Sequence, residues 1–150
     1  MLYGVRRLLP GLWAGGLLCV ALLATPAPFA LLSQADAGRV VARILAHEAH
    51  TSLGLGVLLL VLERLAARRT AEDEQGSQFS AGMALAAGAL FCTVAGYFAL
   101  QPMMPLARAG QGPLSFGQLH ALSAGFFVLK ACLVLALAWR SLAAGPRDQA

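Results

Sequence analysis

Four apolar stretches, running roughly from Leu8 to Leu32, Ala46 to Ala66, Phe79 to Leu100 and Phe116 to Trp139, fill most of a chain of 150 residues. A helix that crosses a bilayer needs about 20 mainly apolar residues at 1.5 Å each, and every one of the four meets that length. The sequence therefore predicts an all-α, polytopic membrane protein, a four-helix bundle in which residues 1–150 form a single domain. Composition agrees, with 59% hydrophobic and only 12% charged residues, and the loops are too short to build a second core. Soluble enzymology is not expected. The chain lacks a Gly-rich phosphate loop, a nucleophile beside a plausible base, and a basic-aromatic surface for nucleic acid.

The formal charge of +4 comes from eleven basic residues that sit mostly just outside the apolar runs, so they read as topology signals. With both termini inside, the inner face holds Arg6, Arg7, Arg64, Arg68, Arg69, Arg140 and Arg147, against Arg39, Arg43 and Arg108 outside. That excess predicts both termini on the cytoplasmic side of the membrane. Trp13 and Trp139 would then lie toward the inner interface, where amphipathic rings are favoured. Arg6, Arg7 and the apolar run to Ala30 imitate a secretory signal. A cut after Ala27 would place Thr25 third before it and Pro28 just after it, so the segment is expected to stay as a span.

The helices carry their own packing cues. Along the third stretch Gly82, Ala86, Ala89, Thr93 and Gly96 stack small side chains on one face, as do Gly11, Gly15 and Cys19 in the first and Gly117, Ala121 and Gly125 in the fourth. Such stripes predict close helix contacts in the lipid bilayer and association into a homo-oligomer or with other membrane proteins. Cys19, Cys92 and Cys132 fall within the spans and read as packing residues. Pro26 and Pro28 should kink or end the first helix, and Pro102 and Pro105 the third. Ser33 to Leu45 reads as a short interfacial helix. The polar loop from Arg68 to Ser80, with Glu72, Asp73 and Glu74, reads as a mobile linker.

Three histidines carry the most chemistry. His47 and His50 lie at the outer end of the expected second helix and His120 at the outer end of the fourth, so all three share one membrane face. His47 and His50 stand three apart on one helix side, with Cβ atoms about 5–6 Å apart, close enough to hold one ion. Met103 and Met104 reach the same side. Imidazole with thioether suits copper, and the same mix serves as axial ligation for haem. The alternative is that these residues cap helix ends and hydrogen-bond to loops. Lys130, ten residues past His120 and about 15 Å deeper, either snorkels to the inner headgroups or pairs with Glu63 on the second helix to gate a polar path.

The tracts Leu12-Trp13-Ala14-Gly15-Gly16, Pro28-Phe29, Ala37-Gly38-Arg39-Val40 and, above all, Leu119-His120-Ala121-Leu122-Ser123 resemble the transmembrane protein 205-like family. The resemblance covers nearly the whole chain and implies a four-helix inner-membrane protein without an established activity. His120 and Ser123 are the positions it singles out. By analogy of fold the chain is also distantly similar to copper-resistance D membrane proteins and to haem-binding bacterial protoporphyrinogen oxidases. Three classes of function follow as expectations. They are metal handling, with copper at His47, His50, His120, Met103 and Met104; a haem-dependent oxidoreductase with His120 as axial ligand; and a structural or accessory role without a ligand.

Overall fold

A computed structural model describes residues 2–73 and 80–143. The first span comprises α1 (Leu2–Cys19), a π-helical segment (Val20–Ala24) and α2 (Ala27–Leu31). The second is a single helix, α3 (Gln34–Asp73). The third comprises α4 (Ala81–Thr93), a second π-helical segment (Val94–Ala99), one 3-10 turn (Gln101–Met103) and α5 (Met104–Arg108), and the fourth is α6 (Phe116–Ala143). All four are long and apolar enough to cross a membrane. Each span packs on the next in sequence, and the fourth closes back on the first, giving an antiparallel four-helix bundle. One end of the bundle carries Leu2 and Ala143; the other, here the far end, carries the turns after Leu31 and Arg108.

Two prolines explain the irregular backbone. A proline inside a helix has no N–H to give and its ring clashes with the carbonyl four residues back. Ahead of Pro26 the ladder widens to i→i−5 bonding, with the Thr25 amide donating to the Val20 carbonyl at 2.9 Å. Ahead of Pro102 the same widening occupies Val94–Ala99. Pro28 and Pro105 then sit in the first turns of α2 and α5, where a missing N–H costs little. The breaks expected at these prolines are therefore present, and each begins a turn or more earlier as a π segment.

The second span departs from expectation. Instead of an interfacial helix followed by a separate span, α3 runs unbroken through 40 residues, about 60 Å at helical rise. Ser33 starts it as a capping residue: its hydroxyl accepts from the Asp36 amide at 3.2 Å and donates to the Asp36 carboxylate at 2.6 Å. Between there and His50 only Gly38 opposes the helix, at a cost of about 1 kcal/mol, and no proline intervenes. At its other end α3 continues to Asp73, so the helix takes up the beginning of the expected linker. The rest of that linker, residues 74–79 with Glu74, lies outside the described residues.

The core of the termini-bearing half is built from Trp13, Ala14, Leu17, Leu59, Ala86, Ala89, Val134 and Leu137. The small-residue stripe of the third span is buried along its length, from Gly82 through Ala86, Ala89 and Thr93 to Gly96. A Cβ on Gly96 would stand 2.6 Å from Cβ of Phe126, so this glycine sets how closely the third and fourth spans approach. The stripes of the first and fourth spans behave oppositely. Gly11, Gly15, Gly117 and Gly125 have no neighbour within 4 Å of a would-be Cβ, and they face outward with Cys19 and Ala121. Trp139 is 74% exposed near the end of α6, as an interfacial ring would be, whereas Trp13 is 4% exposed and belongs to the core. Its expected interfacial position is thus corrected.

Candidate functional site

Lys130 lies in the middle of α6, fourteen residues after Phe116 and thirteen before Ala143. It does not snorkel. Its Nζ donates to Glu48 Oε1 at 2.7 Å, and the two side chains are 4% and 9% exposed. The expected partner, Glu63, is bound elsewhere: Arg6 donates to it through Nε at 2.6 Å and through its terminal nitrogen at 3.4 Å. Register explains the exchange. Because α3 begins at Gln34, the carboxylate that arrives at the middle of the bundle is Glu48, while Glu63 lies about 22 Å further along. Gly82 makes room for Glu63, since any Cβ there would overlap its carboxylate.

The Glu48 carboxylate is the hub of a buried polar chain. Trp13 Nε1 donates to Ser52 Oγ at 2.9 Å, and the Ser52 hydroxyl in turn donates to Glu48 Oε1. Ser52 stands one helical turn from Glu48, so the two point to one side of α3. The Lys130 ammonium also lies 4.8 Å from the centre of the Phe127 ring, a cation–π contact. The Ser52 and Lys130 bonds both end on Oε1, and Glu48 Oε2 takes no hydrogen bond among the described residues. No fully buried side-chain nitrogen or oxygen among them lacks a partner, so Oε2 keeps an open side.

A cavity of about 280 Å³ lies between all four spans, and Glu48 and Lys130 both contribute to its wall. The third span adds Cys92, Thr93, Tyr97, Gln101 and Met104; the fourth adds His120, Ser123 and Phe127. Both π segments border it, through Ala21 in the first and Gly96 and Tyr97 in the second. Π segments recur at functional sites because they expose backbone carbonyls. Here Ser123 answers that exposure by donating to the Gly96 carbonyl at 2.8 Å, and Thr93 donates to the Ala89 carbonyl at 2.9 Å. With their protons committed, both hydroxyls offer lone pairs to the cavity. Beyond Cys19 the first span turns away from α6, because its π segment and α2 pack on α3. Ala21, Ala124 and Val128 on the cavity wall are consequently exposed, and the cavity opens sideways between the first and fourth spans.

Of the residues expected from sequence, the cavity gathers His120, Met104, Ser123 and Lys130. It leaves out His47, His50, Met103 and Glu63. His47 flanks Glu48 and is therefore level with Lys130, whereas His120 is ten residues, about 15 Å, nearer the far end. The three histidines do not share one end of the bundle. His47 is exposed. His50 donates from Nδ1 to the Ala46 carbonyl at 2.7 Å, and its ring meets Phe98 edge-on at 5.2 Å. His120 stacks on Phe116 at 5.9 Å, with the Arg108 guanidinium 4.6 Å from the Phe116 ring centre. Among the described residues, no three His, Cys, Asp or Glu side chains come together to hold a metal ion. Glu48, Tyr97 and Gln101 were missing from the expected site. The Glu48-to-Ser52 spacing of one turn was the only local signal for the first of them.

Four helices long and apolar enough to cross a membrane, packed around a buried ion pair and a cavity, are those of a multi-pass membrane protein. The chain belongs to the family described as a domain of unknown function, DUF4149, whose sequence model matches residues 8–112. The match takes in the first three spans, Glu48 included, and stops short of α6 with His120 and Lys130. Neither a curated protein nor a solved structure matches the chain.

Proposed function

We propose that this protein, a bacterial inner-membrane bundle kin to the transmembrane protein 205-like family, takes a small polar ligand into the cavity between its spans. Glu48 and Lys130 recognise the ligand. The observation that carries this reading is an ion pair at mid-height, buried yet standing in the cavity wall. Isolated ionisable groups at such depth cost a few kcal/mol even by lenient scales, and those found there mark ligand or ion pathways. The excess of arginines at the termini-bearing end supports cytoplasmic termini. The outward-facing stripes at Gly11, Gly15 and Cys19 and at Gly117, Ala121 and Gly125 support association between copies.

A second reading draws on the soft donors. His120, Met104 and Cys92 line the same cavity and together offer imidazole, thioether and thiol, a set that suits copper. Elemental analysis of the purified protein tests it: stoichiometric copper lost on His120→Ala supports the metal reading, and copper unchanged by that substitution removes it. The cavity, at about 280 Å³, falls below the roughly 300–1,000 Å³ usual for drug-sized ligands. That size favours an ion or a small head over a haem macrocycle; a Soret band in the purified protein would restore the haem reading.

Water access tests the main proposal. In a background with Cys19, Cys92 and Cys132 changed to Ala, Ala124→Cys is expected to react with a small charged methanethiosulfonate, because its side chain borders a wet cavity. Leu129→Cys, which faces lipid, is expected to react at least tenfold more slowly. Equal, negligible labelling at both positions would mean a dry cavity and would overturn the proposal.

A further inference from the structure

We infer that the cavity takes the zwitterionic head of an amphiphile, which enters sideways between the first and fourth spans; this rests on the ligand-cavity reading above. The argument begins with charge. Glu48 and Lys130 neutralise each other, so a ligand carrying one net charge would stand uncompensated in a low-dielectric site, at a penalty of several kcal/mol. A ligand with an ammonium and an anionic group a few ångströms apart brings no net charge. The wall has open valences for both ends. Glu48 Oε2 takes no hydrogen bond among the described residues, which leaves it as acceptor for an ammonium. Lys130 spends one of its three N–H donors on Glu48, which leaves two for a phosphate or carboxylate. The Ser123 and Thr93 oxygens, whose protons are engaged by backbone carbonyls, add lone pairs that also suit an ammonium. The original ion pair stays intact, with the ligand lying across it.

Size and access then point to the source. A cavity of about 280 Å³ has room for a headgroup but not for acyl chains. Ala21, Ala124 and Val128 border it and are exposed, so chains attached to the head have a way out between α6 and the first span into lipid. A free zwitterion presents the same polar chemistry without using that opening.

The experiment uses the Ala124→Cys protein in maltoside micelles and reads protection of its thiol from the methanethiosulfonate. Dihexanoylphosphatidylethanolamine is expected to protect at a concentration at least tenfold lower than dihexanoylphosphatidylglycerol, which is anionic. Glu48→Gln combined with Lys130→Met, which removes both charges and so leaves no orphan, is expected to weaken that protection at least tenfold. Val128→Trp, which narrows the side opening and leaves the pair untouched, is expected to weaken protection by the lipid but not by free glycerophosphoethanolamine, a phosphodiester and so a net-neutral zwitterion. Equal protection by the two lipids, or full protection in the double variant, would overturn the zwitterion site. Glycerophosphoethanolamine protecting as well as the lipid would keep the zwitterion site and overturn the lipid source. A thiol that labels but is never protected defeats this inference alone, whereas a thiol that never labels defeats the cavity reading beneath it.

Discussion

Changing Lys130 to Met is expected to destabilise the bundle by about 3–5 kcal/mol, and Glu48→Gln by a similar amount. Either change strands its partner in a mostly buried position, with side chains 4% and 9% exposed, where water in the cavity compensates only in part. After Lys130→Met the Glu48 carboxylate keeps one donor, the Ser52 hydroxyl; after Glu48→Gln the ammonium keeps a weaker amide oxygen and the face of Phe127. The measurement is equilibrium unfolding in mixed micelles, read by helical circular dichroism. The Arg39–Asp36 pair supplies a contrast, because its side chains are 80% and 48% exposed. Arg39→Met should leave stability unchanged within error, since exposed ion pairs gain little over hydration. A small loss at Lys130, comparable to that at Arg39, would mean that the lysine is hydrated as fully as an exposed side chain.

Trp13→Ala is expected to cost about 3–5 kcal/mol, the usual loss for a large buried aromatic, while Trp13→Phe should cost only about 1 kcal/mol for the lost hydrogen bond. Trp13 is 4% exposed and packs with Leu17, Leu59, Ala86 and Val134. Its ring also lies close to Gly56, where a Cβ would stand 3.4 Å from the indole. The phenylalanine refills most of the space and leaves Ser52 still donating to Glu48, so the difference between the two variants isolates packing from hydrogen bonding. Thermal melts of both variants in one detergent check the order. A ring at the lipid interface would show the opposite pattern, with little change from alanine.

The number and rough extent of the spans could be read from apolar run length alone, because hydrocarbon thickness sets a minimum that few other folds demand. The start of the second span could not. Asp36, Arg39 and Arg43 lower the hydropathy of the stretch before Ala46, yet they line one side of a helix that nothing breaks, so α3 begins twelve residues earlier, at Gln34. That shift decides the site, since it moves Glu48 to the level of Lys130 and moves Glu63 to Arg6. Small-residue stripes had a similar ambiguity. Gly82 and Gly96 are buried while Gly11 and Gly117 face outward, and nothing in their spacing tells an internal contact from an external one. Tryptophan reads equally as interface anchor or core residue, and only Ser52 across the helix pair distinguishes the two for Trp13. His120 and Ser123 were legible through the Leu119-His120-Ala121-Leu122-Ser123 tract and Lys130 as a lone charge in an apolar run; Tyr97 and Gln101 were not, since the π segment before Pro102 rotates the chain by an amount that sequence spacing does not express.

The most direct test of this account is a pair of double-mutant cycles on folding stability, one joining Lys130→Met to Glu48→Gln and the other joining Lys130→Met to Glu63→Gln. A coupling free energy above about 1.5 kcal/mol is expected in the first cycle, within the range for contacting residues, and additivity within about 0.5 kcal/mol in the second. Coupling of Lys130 to Glu63, with none to Glu48, would contradict the register of α3 and the cavity wall built on it.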